Sequence, residues 1–469
     1  MKTIKLLSTT IVVLISLFTY GQNELEIMLS AEETKEDFQI LKKSILNYHP
    51  DIYLYTQKSK LDSVLNQIEE NLGEMTIMEF YRKIYPAVSN IRNKHTNLSV
   101  PLQIKKYLGK EAKRIPFTLM HRNDSLYVLE DLSKEYIVKE GSVITKINGI
   151  TSHDLIRQML NFQSSDGFNR SLPLWNITRN FTTNYAVVYG VPDSFGIEYI
   201  NQMGLSKKAK IEAIRKSEFL QTKKNTHKNN EYEFKLIDDI GILTIRTFKI
   251  EEEKNYYKFL KYVFKKINKA NIEKLIIDVR GNLGGYPENS DELLSYLIKR
   301  KIYPYSKQFA LIDVLPEDEY FLKNDVFGYF HNERFDNIND TLYVKNATKH
   351  TVKPKSNNYR GKLIFLIDEN CVSTTSSMLG QVKMHIDVEF VGTETGGNPA
   401  TVVANYTVTQ VLPHSKIEFK LPLVKSEKNV NFSNNGRGIL PSIKIEPTVD
   451  DLLNGNDIIL KQAVKLINK

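Results

Sequence analysis

Two short runs of consecutive apolar residues, Leu275-Ile276-Ile277 and Leu363-Ile364-Phe365-Leu366-Ile367, stop abruptly at polar, glycine- or serine-rich turns. A strand with no polar face has to be covered on both sides, which is the situation of a parallel sheet flanked by helices. The surrounding sequence supplies the helices. Ile240–Ile245 predicts a strand, and Tyr256–Ile267 predicts an amphipathic helix with Phe259, Leu260, Val263, Phe264 and Ile267 on one side. Helices are further expected at Leu293–Ile298 and through Met378 and Val382, and a strand at Val388–Val391. Strands alternating with helices predict an α/β core with parallel strands.

At 469 residues the chain is too long for that core alone. Its front is helical in pattern. Ser30-Ala31-Glu32-Glu33 forms a capping box ahead of Phe38, Leu41, Ile45 and Leu46 on one helical face. Lys58–Leu72 predicts a second helix. A third starts at the box Thr76-Ile77-Met78-Glu79 and runs to about Ile91, before Asn93-Lys94-His95-Thr96. Leu126–Leu129 and Val143–Ile147 are β-like, Asn148-Gly149 is a tight turn and His153–Leu160 is helical. Asp166–Tyr199 has no clean period, and the lysine-rich stretch near Lys207–Asn230 is the expected linker. The domain limits expected are a signal peptide at 1–21, a helical domain at 22–105, a small module at 106–165, a connecting segment with the basic linker at 166–231 and the α/β core at 232–469.

Composition narrows the function classes. Met1-Lys2-Thr3-Ile4-Lys5, an apolar run to Phe18 and then Thr19-Tyr20-Gly21-Gln22 describe a secretory signal cut after Gly21, with an N-terminal anchor as the alternative. An exported protein, periplasmic or secreted by a bacterium, without stable membrane insertion is expected. The single cysteine, Cys371, excludes an intrachain disulfide and a multi-cysteine zinc site. No HExxH spacing occurs, and no metal or organic cofactor is expected. The formal charge of +9 concentrates in the lysine-rich stretch without aromatic stacking residues, so it reads as solvated surface and not as a nucleic-acid site.

Three turns in the rear half can carry chemistry. Asp278-Val279-Arg280-Gly281-Asn282-Leu283-Gly284-Gly285 is a glycine-rich turn after a buried strand, where backbone N–H groups can face a phosphate or an oxyanion. The Gly-Lys-Ser ending of a nucleotide-binding loop is absent. Glu369-Asn370-Cys371-Val372-Ser373-Thr374-Thr375-Ser376-Ser377 opens a helix, so Ser373 is either an exposed nucleophile or a helix cap. Val391-Gly392-Thr393-Glu394-Thr395-Gly396-Gly397-Asn398 is a third strand-to-glycine turn or a plain structural one.

In order and spacing, these three turns resemble the tail-specific (C-terminal processing) serine peptidases and their tricorn relatives. The core match runs from about Ile240 to Pro447. The resemblance implies a ClpP/crotonase-like protease core with Ser373 as nucleophile and an oxyanion hole from Gly284 and the Thr374 N–H. One branch of the family places a lysine where this chain has Asn398. The tricorn-like branch uses an earlier histidine, which makes His95 of Asn93-Lys94-His95-Thr96 the implied base. In that branch an acidic residue precedes a Gly-x-x-Pro turn. Here the turn is Gly438-Ile439-Leu440-Pro441 and the matching residue is Asn435, an amide that can orient a partner without stabilising its charge. Ser376 stands where relatives often have glutamate. Glu140–Gly149 resembles part of a diverged PDZ-like module, a kind of domain that binds chain ends by strand addition.

The implied activity is hydrolysis of peptide or protein substrates through a Ser-His acyl-enzyme. The alternative is a catalytically silent peptide- or ligand-binding protein on the same fold. A third reading makes Cys371 the nucleophile.

Overall fold

The structure, a computed structural model, describes residues 25–218, 230–312, 320–322, 334–433 and 435–469. The expected signal segment lies outside them. The apolar runs become neighbouring strands of one six-stranded sheet. Its strands are β1 (Tyr232–Ile237), β2 (Ile240–Ile245), β3 (Lys274–Asp278), β4 (Lys362–Ile367), β5 (Glu389–Gly392) and β6 (Ile443–Lys444), lying side by side in chain order. β1 and β2 form an antiparallel hairpin, and every later pairing is parallel.

Strands that advance in one direction with right-handed crossovers place their connecting helices on one face. Those helices are α1 (Glu253–Lys269), α2 (Pro287–Ser295) and α3 (Thr374–His385). Leu243, Ile245, Leu275, Ile277, Leu363, Phe365 and Ile367 pack beneath them with Leu260, Phe264, Leu294 and Leu379. The alternate residues Ile242, Ile276, Ile364 and Leu366 point the other way and are covered by Ile459, Ala463 and Ile467 of α4 (Ile458–Ile467). The period of two along each strand thus fills two apolar layers at once.

The front half is helical as expected. Helices span Ala31–Tyr48 and Ile77–Ser89, with the capping boxes of Ser30/Glu33 and Thr76/Glu79 both formed, and a further helix spans Lys58–Glu70. They pack on an element that the periodicity did not single out, a long hairpin of Thr401–Val411 and Glu418–Lys428. Phe38, Leu41 and Ile45 share one core with Leu421 and Leu423 of that hairpin. Asn97–Ser99 adds to its edge as a strand, so the loop carrying His95 is carried to the core by sheet pairing.

A second sheet contains Phe117–Arg122, Ser125–Asp131, Val143–Ile147, Ser194–Ile200 and Ser206–Glu212. Two expectations are corrected here. The stretch without a period contains helices Ser171–Arg179 and Phe181–Tyr189, then a strand. The first part of the lysine-rich stretch is not a linker but the edge strand Ser206–Glu212, paired with Ser194–Ile200. Its lysines face solvent, and lysine on an edge strand discourages further strand addition. Residues 219–229 lie outside the described residues.

Phe365 is fully buried between the sheet and its helices. Phe365→Ala is expected to cost about 3–5 kcal/mol, seen as a lower urea midpoint of the core transition. An unchanged midpoint would show that this layer does not hold the core together.

Candidate active site

The three turns singled out by sequence follow β3, β4 and β5, which are adjacent parallel strands, so they meet at one edge of the sheet. After β4 the chain enters α3 through Ser373. Ser373 is the residue flanking the helix start, but its side chain makes no capping hydrogen bond. Its backbone lies at φ 54° and ψ −124°, a region that residues with a Cβ seldom occupy. The plain cap reading is therefore not realised. The turn spends backbone strain and leaves the hydroxyl at the positive end of a helix, without a hydrogen-bond partner among the described residues.

Neighbours hold this turn from several sides. Ser376 Oγ donates to the Cys371 carbonyl at 2.7 Å, so the residue standing in the glutamate position is a local tie. Thr374 Oγ1 donates to the Gly285 carbonyl at 2.6 Å, and Gly397 N–H donates to the Cys371 carbonyl at 3.2 Å.

The glycine turn after β3 lies directly against the nucleophile. Gly284 has φ +95°, and a Cβ added there would sit 2.9 Å from the Val372 carbonyl oxygen and 3.0 Å from both Ser373 Cβ and Thr374 N. Only glycine permits that approach. Asn282 ties the two turns together, its Oδ1 accepting from Thr375 Oγ1 at 2.8 Å and from Gly284 N–H at 3.0 Å. The oxyanion expectation is thereby revised in one respect. Thr374 N–H, at the start of α3, has no partner among the described residues, whereas the Gly284 N–H is already engaged by Asn282.

Beneath the glycine turn, Asp278 binds Arg246 and Arg280, and Arg280 also binds Asp457. Burial opposes the charge on Asp278, but the two guanidiniums outweigh it and hold the carboxyl below its usual range. Asp368 accepts from Gly281 N–H at 3.0 Å and from Asn370 N–H at 3.0 Å, linking the glycine turn to the nucleophile turn.

His95 approaches from the helical half. Its loop is fixed by Asn93, whose Oδ1 accepts from His95 N–H at 3.1 Å and Thr96 Oγ1 at 2.7 Å, and whose amide donates to the Val403 carbonyl at 3.1 Å. Buried His49 accepts from Asp51 N–H at Nδ1, so its Nε2–H donates to Thr96 Oγ1 at 2.9 Å. Asp166 joins the histidine loop to the third turn, accepting from Lys94 N–H at 2.9 Å and from Asn398 N–H at 3.4 Å. Asn398 adjoins Gly397, where an added Cβ would lie 2.9 Å from Ser373 N. The histidine and serine segments are therefore stitched to the same turn, but His95 and Ser373 share no hydrogen bond in this state.

His95 Nδ1 is buried without a hydrogen-bond partner among the described residues. Burial lowers the imidazole pKa, with Lys94 acting in the same direction and Asp166 opposing. The ring is thus neutral and able to accept a proton near neutral pH.

Asn435 is exposed, and its Oδ1 accepts from Arg437 N–H at 3.1 Å with no bond to His95. It shapes its own turn, next to the Arg437–Glu394 ion pair. The carboxylate beside His95 is Asp166, which lies in the period-free stretch and carried no distinguishing sequence signal. Asn398 closes a turn through Oδ1, accepting from Ala400 and Thr401 N–H groups, and donates to Tyr55.

Cys371 is fully buried, donates to the Val279 carbonyl at 3.2 Å, and has its pKa pushed up by burial. A thiol kept protonated in this way is not a nucleophile. Ser373 lines a cavity of about 50 Å³ with α2, α3 and the long hairpin. A cleft of about 1410 Å³, between the second sheet and the core, borders Gly281, Asp368 and Thr393 but does not include Ser373.

Gly284→Ala tests the close approach. It is expected to leave a folded protein with hydrolysis reduced about 100-fold or more, since a displaced donor or nucleophile costs that much. Steady-state rates and thermal melting read the two effects, and unimpaired hydrolysis would contradict the packing described.

Residues 239–445 match the model of peptidase family S41. Comparison with curated proteins gives no significant match. Mature CPAF superposes with a TM-score of 0.63 at 13% identity, covering 93% of this chain and 96% of that one. Mature CPAF complexed with lactacystin gives 0.64 at 12% identity, covering 93% and 98%. At such identities the likeness speaks for the overall fold, while the matched segment holds all three turns. Residues 239–445 are a peptidase family S41 domain, and the chain is a serine-type peptidase.

Proposed function

We propose that the chain cleaves peptide bonds by a Ser-His acyl-enzyme mechanism. The observation that carries this reading is the strained, uncapped Ser373 at the start of α3 with Gly284 pressed against it. His95 takes the Ser373 proton as Oγ attacks the scissile carbonyl. The Thr374 N–H receives the developing oxyanion, and the Gly284 N–H joins it by turning from Asn282 Oδ1. Asp166 steadies the imidazolium, His95 passes its proton to the leaving amine, and water releases the acyl group. Apo catalytic hydrogen bonds are commonly long and tighten on substrate binding, which accommodates the open Ser373–His95 pair.

The finer assignments belong to the same reading. Sequential strand order with one-directional winding supports a ClpP/crotonase-like core at 232–469. The histidine base supports the tricorn-like branch. The sheet containing Phe117–Arg122 and Ser206–Glu212 supports a PDZ-like module that extends past 165 to about 214, behind the helical domain. The N-terminal basic and apolar pattern supports export. No described helix is long and apolar enough to cross a membrane.

A fluorophosphonate probe is expected to label Ser373, and Ser373→Ala to abolish both labelling and hydrolysis. His95→Ala is expected to lower kcat/KM about 100-fold or more, while Asn435→Ala stays within a few-fold. Absence of labelling would favour the silent binding protein.

The pH profile follows from the direction of the His95 shift. A base must be unprotonated, and a lowered pKa moves the acid limb of kcat/KM below pH 6.5. An acid limb above that value would argue against His95.

A further inference from the structure

The cavity beside Ser373 contains a cation that the peptide-cleaving mechanism does not use. Its walls are α2, through Pro287, Asp291 and Leu294, and α3, through Thr374, Met378 and Gln381. Its remaining wall is the sheet that bears Tyr305, Ser426 and Lys428. α2 follows the glycine turn and α3 follows the nucleophile. A carbonyl held at Ser373 and Thr374 therefore has this cavity as a neighbour on the helix side. At about 50 Å³ it has room for a few waters or one short polar side chain.

Lys428 enters the cavity from the end of the long hairpin, its Nζ lying 3.8 Å from the centre of the Tyr305 ring. No carboxylate among the described residues is within ion-pair distance of it. The nearest acid in the cavity, Asp291, is already committed to His350 Nε2 at 2.7 Å. A second group in the wall is also unfulfilled. Gln381 is 2% exposed, its Oε1 has no partner among the described residues, and its Nε2 reaches two carbonyls only at 3.5 Å. An ammonium without a carboxylate and an amide with weak bonds, both beside a nucleophile, describe a pocket shaped for a polar, anionic group.

We propose that this cavity receives the side chain preceding the scissile bond and that Lys428 selects an acidic one, aspartate or glutamate. The inference rests on Ser373 being the nucleophile of the proposed mechanism. In the bound state the carboxylate pairs with Lys428, and the Gln381 amide rotates to complete its hydrogen bonds. Desolvation brings the free Lys428 pKa down to about 7, with Asp291 opposing, and a bound carboxylate restores its full charge.

Two readouts separate this proposal from the mechanism beneath it. The first is binding of fluorescein-labelled Ala-Ala-Ala-X-Ala-Ala-Ala peptides to Ser373→Ala protein, with X as Glu, Gln, Leu or Lys. The Glu peptide is expected to bind about 10-fold to 100-fold more tightly than the Gln peptide, the range of a charge-assisted hydrogen bond. Lys428→Met should erase that ratio, and Lys428→Arg should keep most of it, with thermal melting confirming that both fold. Equal binding of Glu and Gln, or a ratio unchanged in Lys428→Met, overturns the proposal.

The second readout is mass spectrometry of peptides cut by the wild-type protein, where cleavage after Glu over Gln is expected at a similar ratio. Uniform loss of cleavage in Lys428→Met with the ratio intact would place Lys428 in the chemistry and overturn its role in selection. Fluorophosphonate labelling of the wild-type protein reports separately on Ser373, so failure of the mechanism leaves the binding ratio to judge the pocket.

Discussion

The structure of this site depends on how closely two backbone turns can pack. β3 and β4 are hydrogen-bonded parallel neighbours, so the turns that leave them start only one strand spacing apart. A side chain at 284 would meet Val372, Ser373 and Thr374 at once. Glycine removes that obstacle and brings the turn against Ser373, whose own strained backbone tips its hydroxyl out of the helix end. Asn282, Asp368 and Thr374 then lock the turns with hydrogen bonds that span from one to the other. The buried Arg246–Asp278–Arg280–Asp457 network supports them from below. Such pairs are costly to break because a lone buried charge is left behind.

The second requirement is to bring chemistry from the helical half to this edge. Sheet pairing and apolar packing do so. The long hairpin extends from the core, the helices pack their apolar faces on it, and Asn97–Ser99 joins its edge. Asp166 then spans the gap between the histidine loop and the third turn. A carboxylate placed there serves both geometry and electrostatics, since it fixes two loops and favours a charged imidazole when the proton arrives.

Much of the core was legible because its signals are local. Apolar runs covered on both faces mark parallel strands, and the capping boxes at Ser30 and Thr76 mark helix starts that the structure reproduces. The three turns were visible for the same reason. What escaped depends on long-range contacts. Asp166 has no local pattern, and only the fold places it beside His95. Lys428 drew no attention in the sequence, and only the fold places it in a cavity with α2 and α3. The lysines of Ser206–Glu212 read as a linker because an exposed edge strand and a solvated loop share a composition. Asn435 was inferred from its place before a turn, but its amide is used within that turn.

The central claim is that an imidazole and a hydroxyl from opposite halves of the chain act on one carbonyl. The most direct measurement is a crystal structure of the protein with Ser373 covalently phosphonylated, which mimics the tetrahedral adduct. The account predicts His95 Nε2 within about 3 Å of the Ser373 Oγ and a phosphonyl oxygen on the Thr374 N–H. An adduct with His95 still remote and Lys428 Nζ on Oγ in its place would contradict it.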